Sequence, residues 1–257
     1  MQALPLRIKK MTHSMKEKPK AIFSWSGGKD SAYCLHKVSS EKLFDVKYLL
    51  TTLNYNFKRV SMHGVREELL DAQARSIGIP LLKVWVKEGT NDEYERQMNE
   101  TLLKARSEGI EYVIFGDIFL EDLRTYRENN LAKVEMKAAF PIWKTDTSFM
   151  IRDFTAKNFK TITCCVNDGY LNKDWVGKEI NKLFVEELPK TADPCGENGE
   201  YHTFCYDGPL FKKRIDFTIG EKLYKPLEIK TAGDSVCSSN VVTKGFWFCD
   251  LLPVNPS

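Results

Sequence analysis

The sequence predicts an α/β protein: a parallel sheet covered by helices over about residues 20–143, followed by a smaller α+β part over 144–257. Three observations carry that prediction. Short β-branched or aromatic runs alternate with longer amphipathic stretches over the first ~140 residues, the rhythm of strands joined by crossover helices. Ser26-Gly27-Gly28-Lys29-Asp30-Ser31 stands between the apolar run Ala21-Ile22-Phe23 and a helix-like stretch. After Trp143 the rhythm changes to closely spaced strand-like segments.

Taken in order, the expected strands of the first part are 21–25, 46–53, 81–86, 111–116 and 137–142. Between them, 30–39, 65–77, 92–108 and 122–134 read as helices. Leu69-Leu70, Ala72, Ala74 and Ile77 fall at helical spacing, and Gly78 is a natural stop before Ile79-Pro80. Leu102, Leu103 and Ala105 repeat the pattern before Gly109. In the second part a helix over 146–157 leads to an apolar run at 160–166, a helix at 175–187, a glycine-rich loop at 193–200 and strand-like segments at 201–206, 211–219, 224–230 and 240–249. Parallel sheets bind ligands at the carboxyl ends of their strands, so a companion packed there would complete a cleft.

Composition narrows the class. With 257 residues, 42% hydrophobic and 28% charged, the chain is long enough to bury a proper core, and no apolar stretch approaches the ~20 residues that span a bilayer. The net charge of +3 comes from residues 1–20, which carry six Lys or Arg against Glu17 alone, an excess of +5 that leaves about −2 for the rest. That body offers no broad basic face for nucleic acid. Residues 1–19 read as a disordered basic tail without the apolar core of a signal peptide, or as an extension upstream of a start at Met11 or Met15. The seven cysteines include no C-x-x-C pair, and the four histidines are scattered, which argues for a cytoplasmic protein without a disulfide framework or a zinc site.

The glycine pair marks a phosphate site. Two glycines let backbone approach an anion without an intervening Cβ, the first amides of the following helix point at it, and Lys29 adds positive charge. Ser26, Gly27, Gly28, Lys29, Asp30 and Ser31 are therefore expected to bind nucleotide phosphates. Asp30 reads either as a helix cap or as a Mg²⁺ ligand. Gly116-Asp117 ends the run Tyr112-Val113-Ile114-Phe115 and so faces the same crevice, as a turn or as part of the site. His63 follows the second strand, where such folds receive ribose or base. Arg124 and Arg127 lie one turn apart on the next helix, a solvated face or a reach toward an anion. A second polar centre is Gly196-Glu197-Asn198-Gly199-Glu200-Tyr201-His202-Thr203, whose two acids could bind Mg²⁺, receive an amine or act as a general base once burial raises a pKa.

The loop at 26–31 matches neither the ordinary P-loop nor G-x-G-x-x-G. It resembles the PP-loop of the ATP pyrophosphatases. Together with Gln73 to Pro80, Pro141-Ile142-Trp143, Gly196 to Phe204 and Pro209-Leu210-Phe211, the chain from about residue 20 to 230 resembles the diphthine–ammonia ligase family. That resemblance implies a Rossmann-like sheet of the adenine nucleotide alpha hydrolase type. It also implies a ligase that adenylates a carboxylate with ATP and Mg²⁺, releases pyrophosphate and lets ammonia displace AMP. On it, Ser26 to Ser31 bind ATP, and Glu197 and Glu200 face the acceptor side. Position adds His63, Gly116 and Asp117 to the expected ATP site, and Lys29, Asp30, Glu197 and Glu200 are expected to be catalytic. Arg124, Asn198, His202 and Thr203 face the acceptor, which is diphthine on elongation factor 2 or a small carboxylate metabolite. The pattern departs where diphthamide members tend to carry a glycine and an acid and this chain carries Asn198 and His202. Two other readings are a PP-loop sulfurtransferase acting on tRNA, which would want reactive paired cysteines, and an ATP sensor without turnover. A homo-oligomer is compatible with all three.

Overall fold

The computed structural model describes residues 17–60, 63–87, 91–227 and 242–254, with the side chains of 91 and 92 excepted. Most of the expected basic tail, both alternative start methionines, Cys237 and most of the expected strand end at 227–230 lie outside them. None of the described helices is long and apolar enough to cross a membrane.

The first part is an α/β layer structure with a Rossmann-like sheet. Strands β1 (Lys20–Ser24), β2 (Asp45–Asn54), β4 (Leu81–Val86), β5 (Tyr112–Ile114) and β6 (Lys137–Ala139) run parallel in the order β4-β2-β1-β5-β6. A two-residue strand β3 (Arg59–Val60) folds back on the end of β2. Helices α1 (Lys29–Ser40), α2 (Glu67–Ile77), α3 (Asn91–Ser107) and α4 (Glu121–Lys133) make the crossovers. Alternation along β1 sends Ala21 and Phe23 into one core and Ile22 into the other. The first core takes Leu35 of α1 and Leu69 of α2, the second Leu102 of α3 and Leu131 of α4, so both sheet faces are covered. Strand order reverses between β1 and β5, and the loops after those two strands open the crevice there.

The second part contains α5 (Thr147–Ala156), β7 (Lys160–Asn167), a 3-10 turn (Lys173–Trp175), α6 (Lys182–Glu187) and strands β8 (Tyr201–Asp207), β9 (Phe217–Pro226) and β10 (Gly245–Pro253). Its antiparallel sheet runs β8-β7-β10-β9. Two expectations fail here. The helix expected at 175–187 is broken because Gly177 turns left-handed (φ 80°) and the chain runs extended enough to bridge Ile162 to Glu179 before α6 begins. The two strands expected at 211–219 and 224–230 are one strand, β9, which starts only at Phe217, since Lys212 N and Lys213 N are drawn to the carbonyl and hydroxyl of Ser76 at the end of α2. The apolar core runs unbroken from β1 and α2 to Phe154, Phe204 and Leu251 of the second part.

One ion cluster ties β10 to the β3 region. Asp250 accepts from Arg59 Nη1 (2.8 Å), Arg66 Nε (3.0 Å) and Arg66 Nη2 (2.7 Å), and these guanidiniums hold its carboxyl well below the usual carboxylate range. Arg59 also donates to Gly64 O, next to His63. A depressed carboxylate stabilises the fold above its unfolded pKa and loses that contribution as pH falls through the folded value. Asp250→Asn is therefore expected to destabilise the protein by about 1.5–3 kcal/mol at pH 7 and by less at pH 3, in urea unfolding at both pH values.

Candidate functional site

The phosphate loop is built by parts distant in sequence. Gly27 is left-handed (φ 79°), and a Cβ there would meet Leu70 at 2.7 Å and Gln73 at 2.9 Å, so only glycine fits. Gln73 is fully buried. It accepts from Trp25 Nε1 (2.9 Å) and donates from Nε2 to Gly27 O (2.9 Å) and Cys205 O (2.6 Å), while Cys205 N also donates to Gly27 O (2.8 Å). Gly28 stands at the N-cap of α1 and has no side chain to cap with; Thr203 of β8 supplies the missing oxygen, accepting from Lys29 N at 2.9 Å. Ser26 and Ser31 share a hydrogen bond of 3.1 Å, and Ser31 Oγ donates to Gly28 O.

Lys29 is 2% exposed. Its ammonium donates to both oxygens of Asp30 (2.6 and 2.7 Å) and lies 5.4 Å from the centre of the Tyr201 ring. Burial works against its charge, but Asp30, with Cys195 and Glu197 near, outweighs burial and raises its pKa. Asp30 rather than Lys29 forms cavity wall.

A cavity of about 530 Å³ opens over this loop, within the size range of nucleotide and cofactor pockets. Ser26, Asp30, Ser31, His63, Gly116, Asp117, Glu197, His202 and Thr203 all line it. Gly27, Gly28, Arg124, Asn198 and Glu200 do not. Arg124 stacks on Phe140 and Trp143 at 5.0 and 4.8 Å and pairs with Glu128. Glu200 is fully buried and accepts from Asp193 N, Asn198 N and Asn198 Nδ2, which knits the 193–200 loop together. Gly196 is left-handed, with Tyr201 2.9 Å from where a Cβ would stand.

Glu197 crosses the crevice and accepts from Ile118 N at 2.8 Å, joining the second motif to the loop after β5. Burial first, then the neighbouring Asp30, push its carboxyl up to about 7. Asp117 is also raised by burial, against the pull of Arg127, whose Nε lies 2.6 Å from Asp117 Oδ2. Burial holds both His63 and His202 toward the neutral imidazole.

Of the two arginines that the sequence offered on α4, Arg127, not Arg124, reaches the cavity, where it stacks on Phe115 at 4.2 Å. Several other contributors escaped the sequence reading. Thr51, at the carboxyl half of β2, turns a buried and unpartnered hydroxyl toward the cavity. Tyr94, Met98 and Leu123 add an apolar wall. Burial raises the thiol pKa of Cys34, Cys164, Cys165, Cys195 and Cys205, so these cysteines are not nucleophiles at neutral pH. No group of three metal-ligating side chains gathers among the described residues.

Residues 19–138 match the Diphthamide synthase N-terminal domain and residues 146–232 the Diphthamide synthase C-terminal domain. Diphthine–ammonia ligase of Mus musculus is 27% identical over 220 residues, covering 74% of this chain and 79% of the mouse protein. The Homo sapiens protein of that name is 24% identical over 217 residues, with the same shares. That of Schizosaccharomyces pombe is 32% identical over 113 residues, 42% of this chain but 19% of the yeast protein.

A carboxyl raised on folding keeps its proton longer in the folded state, so it withdraws stability as pH climbs from its unfolded value near 4.5 through about 7. Glu197→Gln, which can still accept from Ile118 N, is expected to be more stable than the parent by about 1–3 kcal/mol at pH 8 and equal to it at pH 4, in denaturant titrations at the two pH values.

Proposed function

We propose, from the premise that this chain belongs to the diphthamide synthase family, that it is an ATP-dependent ligase that joins ammonia to a carboxylate, with AMP and pyrophosphate as the other products. The observation that carries the proposal is Glu197. A carboxyl pushed up to about 7 shares one cavity with a glycine-rich phosphate loop. A base matched to neutral pH is suited to taking the proton that ammonium must lose before it can attack.

The roles follow from position. The loop at Ser26–Ser31 receives the phosphates on its backbone and hydroxyls. Lys29 holds a positive charge just inside the wall and keeps Asp30 in place. Asp30, the loop carboxylate in the cavity wall, is the residue that would hold a Mg²⁺ arriving with the nucleotide. Bound there, Mg²⁺ would offset charge on the departing pyrophosphate. The acceptor carboxylate attacks the α-phosphorus, the bond to the β-phosphate bridging oxygen breaks, and pyrophosphate leaves. Ammonium passes one proton to Glu197, the ammonia so formed attacks the acyl carbon, and AMP departs with the bonding pair and takes up the second proton, which the new amide nitrogen gives up. No covalent enzyme intermediate is needed; the protein contributes orientation and charge stabilisation. The acceptor in this reading is diphthine or a carboxylate like it, and Glu200 acts by holding the loop that carries Glu197.

Incubation with α-labelled ATP, Mg²⁺, ammonium and candidate acceptors is expected to yield AMP with pyrophosphate only when an acceptor is present, and Lys29→Ala to abolish it. Formation of ADP, or tight ATP binding without turnover under every acceptor tried, would overturn the proposal. The parent rate is expected to rise with pH through about 7. Glu197→Gln is expected to lack that limb and to lose about 10²–10⁴-fold in rate.

A further inference from the structure

Two imidazoles stand over the phosphate loop. A Cβ built on Gly28 would lie 2.9 Å from His63 Cε1 and 3.0 Å from Thr203 O, so the His63 ring roofs the second glycine of the loop. His63 Nδ1 is 3.0 Å from Thr203 O. A carbonyl oxygen only accepts, so Nδ1 carries the proton and the ring is held in one orientation. His202, one residue before Thr203 on β8, faces it with ring centroids 4.8 Å apart and planes tilted by 37°.

His202 is the unexplained member. His202 belongs to the cavity wall, and its Nε2 is buried with no hydrogen-bond partner. Buried polar nitrogens are seldom left so in folded proteins, and a ligand entering the cavity beside this ring is a partner that would satisfy it. The phosphate loop lies next to it through His63, whose ring meets that of His202 and also lies over Gly28.

We propose that His202, positioned by His63, donates from Nε2 to an oxygen of the pyrophosphate unit of the nucleotide bound at Ser26–Ser31. This rests on the reading of that loop as the ATP site, and it moves His202 from the acceptor side to the nucleotide side. A neutral imidazole suits the place: it supplies one directed donor beside Lys29 without adding a second cation. The step makes and breaks no covalent bond. His63 acts through His202 and Thr203, and is a positioning residue.

The full chain has four histidines, so ring resonances of histidine-labelled protein can be followed one by one. With inorganic pyrophosphate as the probe, the His202 and His63 signals are expected to move and the His36 signal to stay. His202→Ala is expected to weaken pyrophosphate binding about tenfold, and His202→Gln, which keeps an N–H donor, to recover most of it. If His202→Ala does not fold, the shifts in the parent and the affinity of His202→Gln still decide. Pyrophosphate binding with an unmoved His202 signal would overturn the proposal and leave the ATP site standing, as would a His202 shift on adding acetate but not pyrophosphate. Absence of any ATP or pyrophosphate binding to the parent would instead remove the ATP site itself, and this contact with it.

Discussion

The site depends on one joint, where the phosphate loop after β1 is bonded to β8. Gly27 O takes hydrogen bonds from Gln73 and from Cys205 N, and Lys29 N gives its own to Thr203. With Gly27 O held from behind and α1 capped from outside, the loop is shaped by residues 46 to 178 positions away rather than by its own turn. Buried hydrogen bonds of this kind specify geometry because each unmade partner is costly in a low-dielectric interior. The same joint brings the second sheet to the glycine loop. β8 carries Thr203 into the loop and begins directly after the 196–200 turn, so one strand joins the two polar centres.

Around that joint the charges are arranged in pairs of unequal completeness. Asp30 is matched by Lys29, Asp117 by Arg127 and Asp250 by two arginines. Glu197 is the exception: its contact is a backbone amide, and burial with like charge close by drives its pKa upward. The balance between partner and burial differs from one carboxyl to the next: at Asp250 two guanidiniums outweigh burial, at Asp117 burial outweighs Arg127, and at Glu197 burial and Asp30 act on a group bonded to an amide. Glu200, three residues from Glu197 and identical in type, is satisfied by three donors of its own loop.

Much of this was legible in the sequence. The alternation of strand and helix patterns determined the parallel sheet and its crossovers, because periods of 2 and 3.6 are local properties of side-chain spacing. Ser26–Ser31 and Gly196–Thr203 stood out because glycines and polar groups packed so densely have little use in a core. Where the chain's hydrogen bonds were taken by a remote partner, as at Lys212 and Lys213 on Ser76, the local pattern misled and an expected strand began late.

Tertiary structure alone decided which members of each motif face the cavity. Arg124 and Arg127 are equivalent by spacing, yet the packing of α4 lays one on Phe140 and Trp143 and turns the other into the cavity. Glu197 and Glu200 are likewise equivalent until the fold assigns one to Ile118 and the other to its own loop. Gln73 reads as one more residue on an amphipathic helix, and becomes the clamp of the phosphate loop only because α2 and β8 meet at Gly27. Sequence spacing determines which face of an element a residue occupies; what that face meets is set by the packing of elements far apart in the chain, and in this protein the chemistry of the site follows from those meetings.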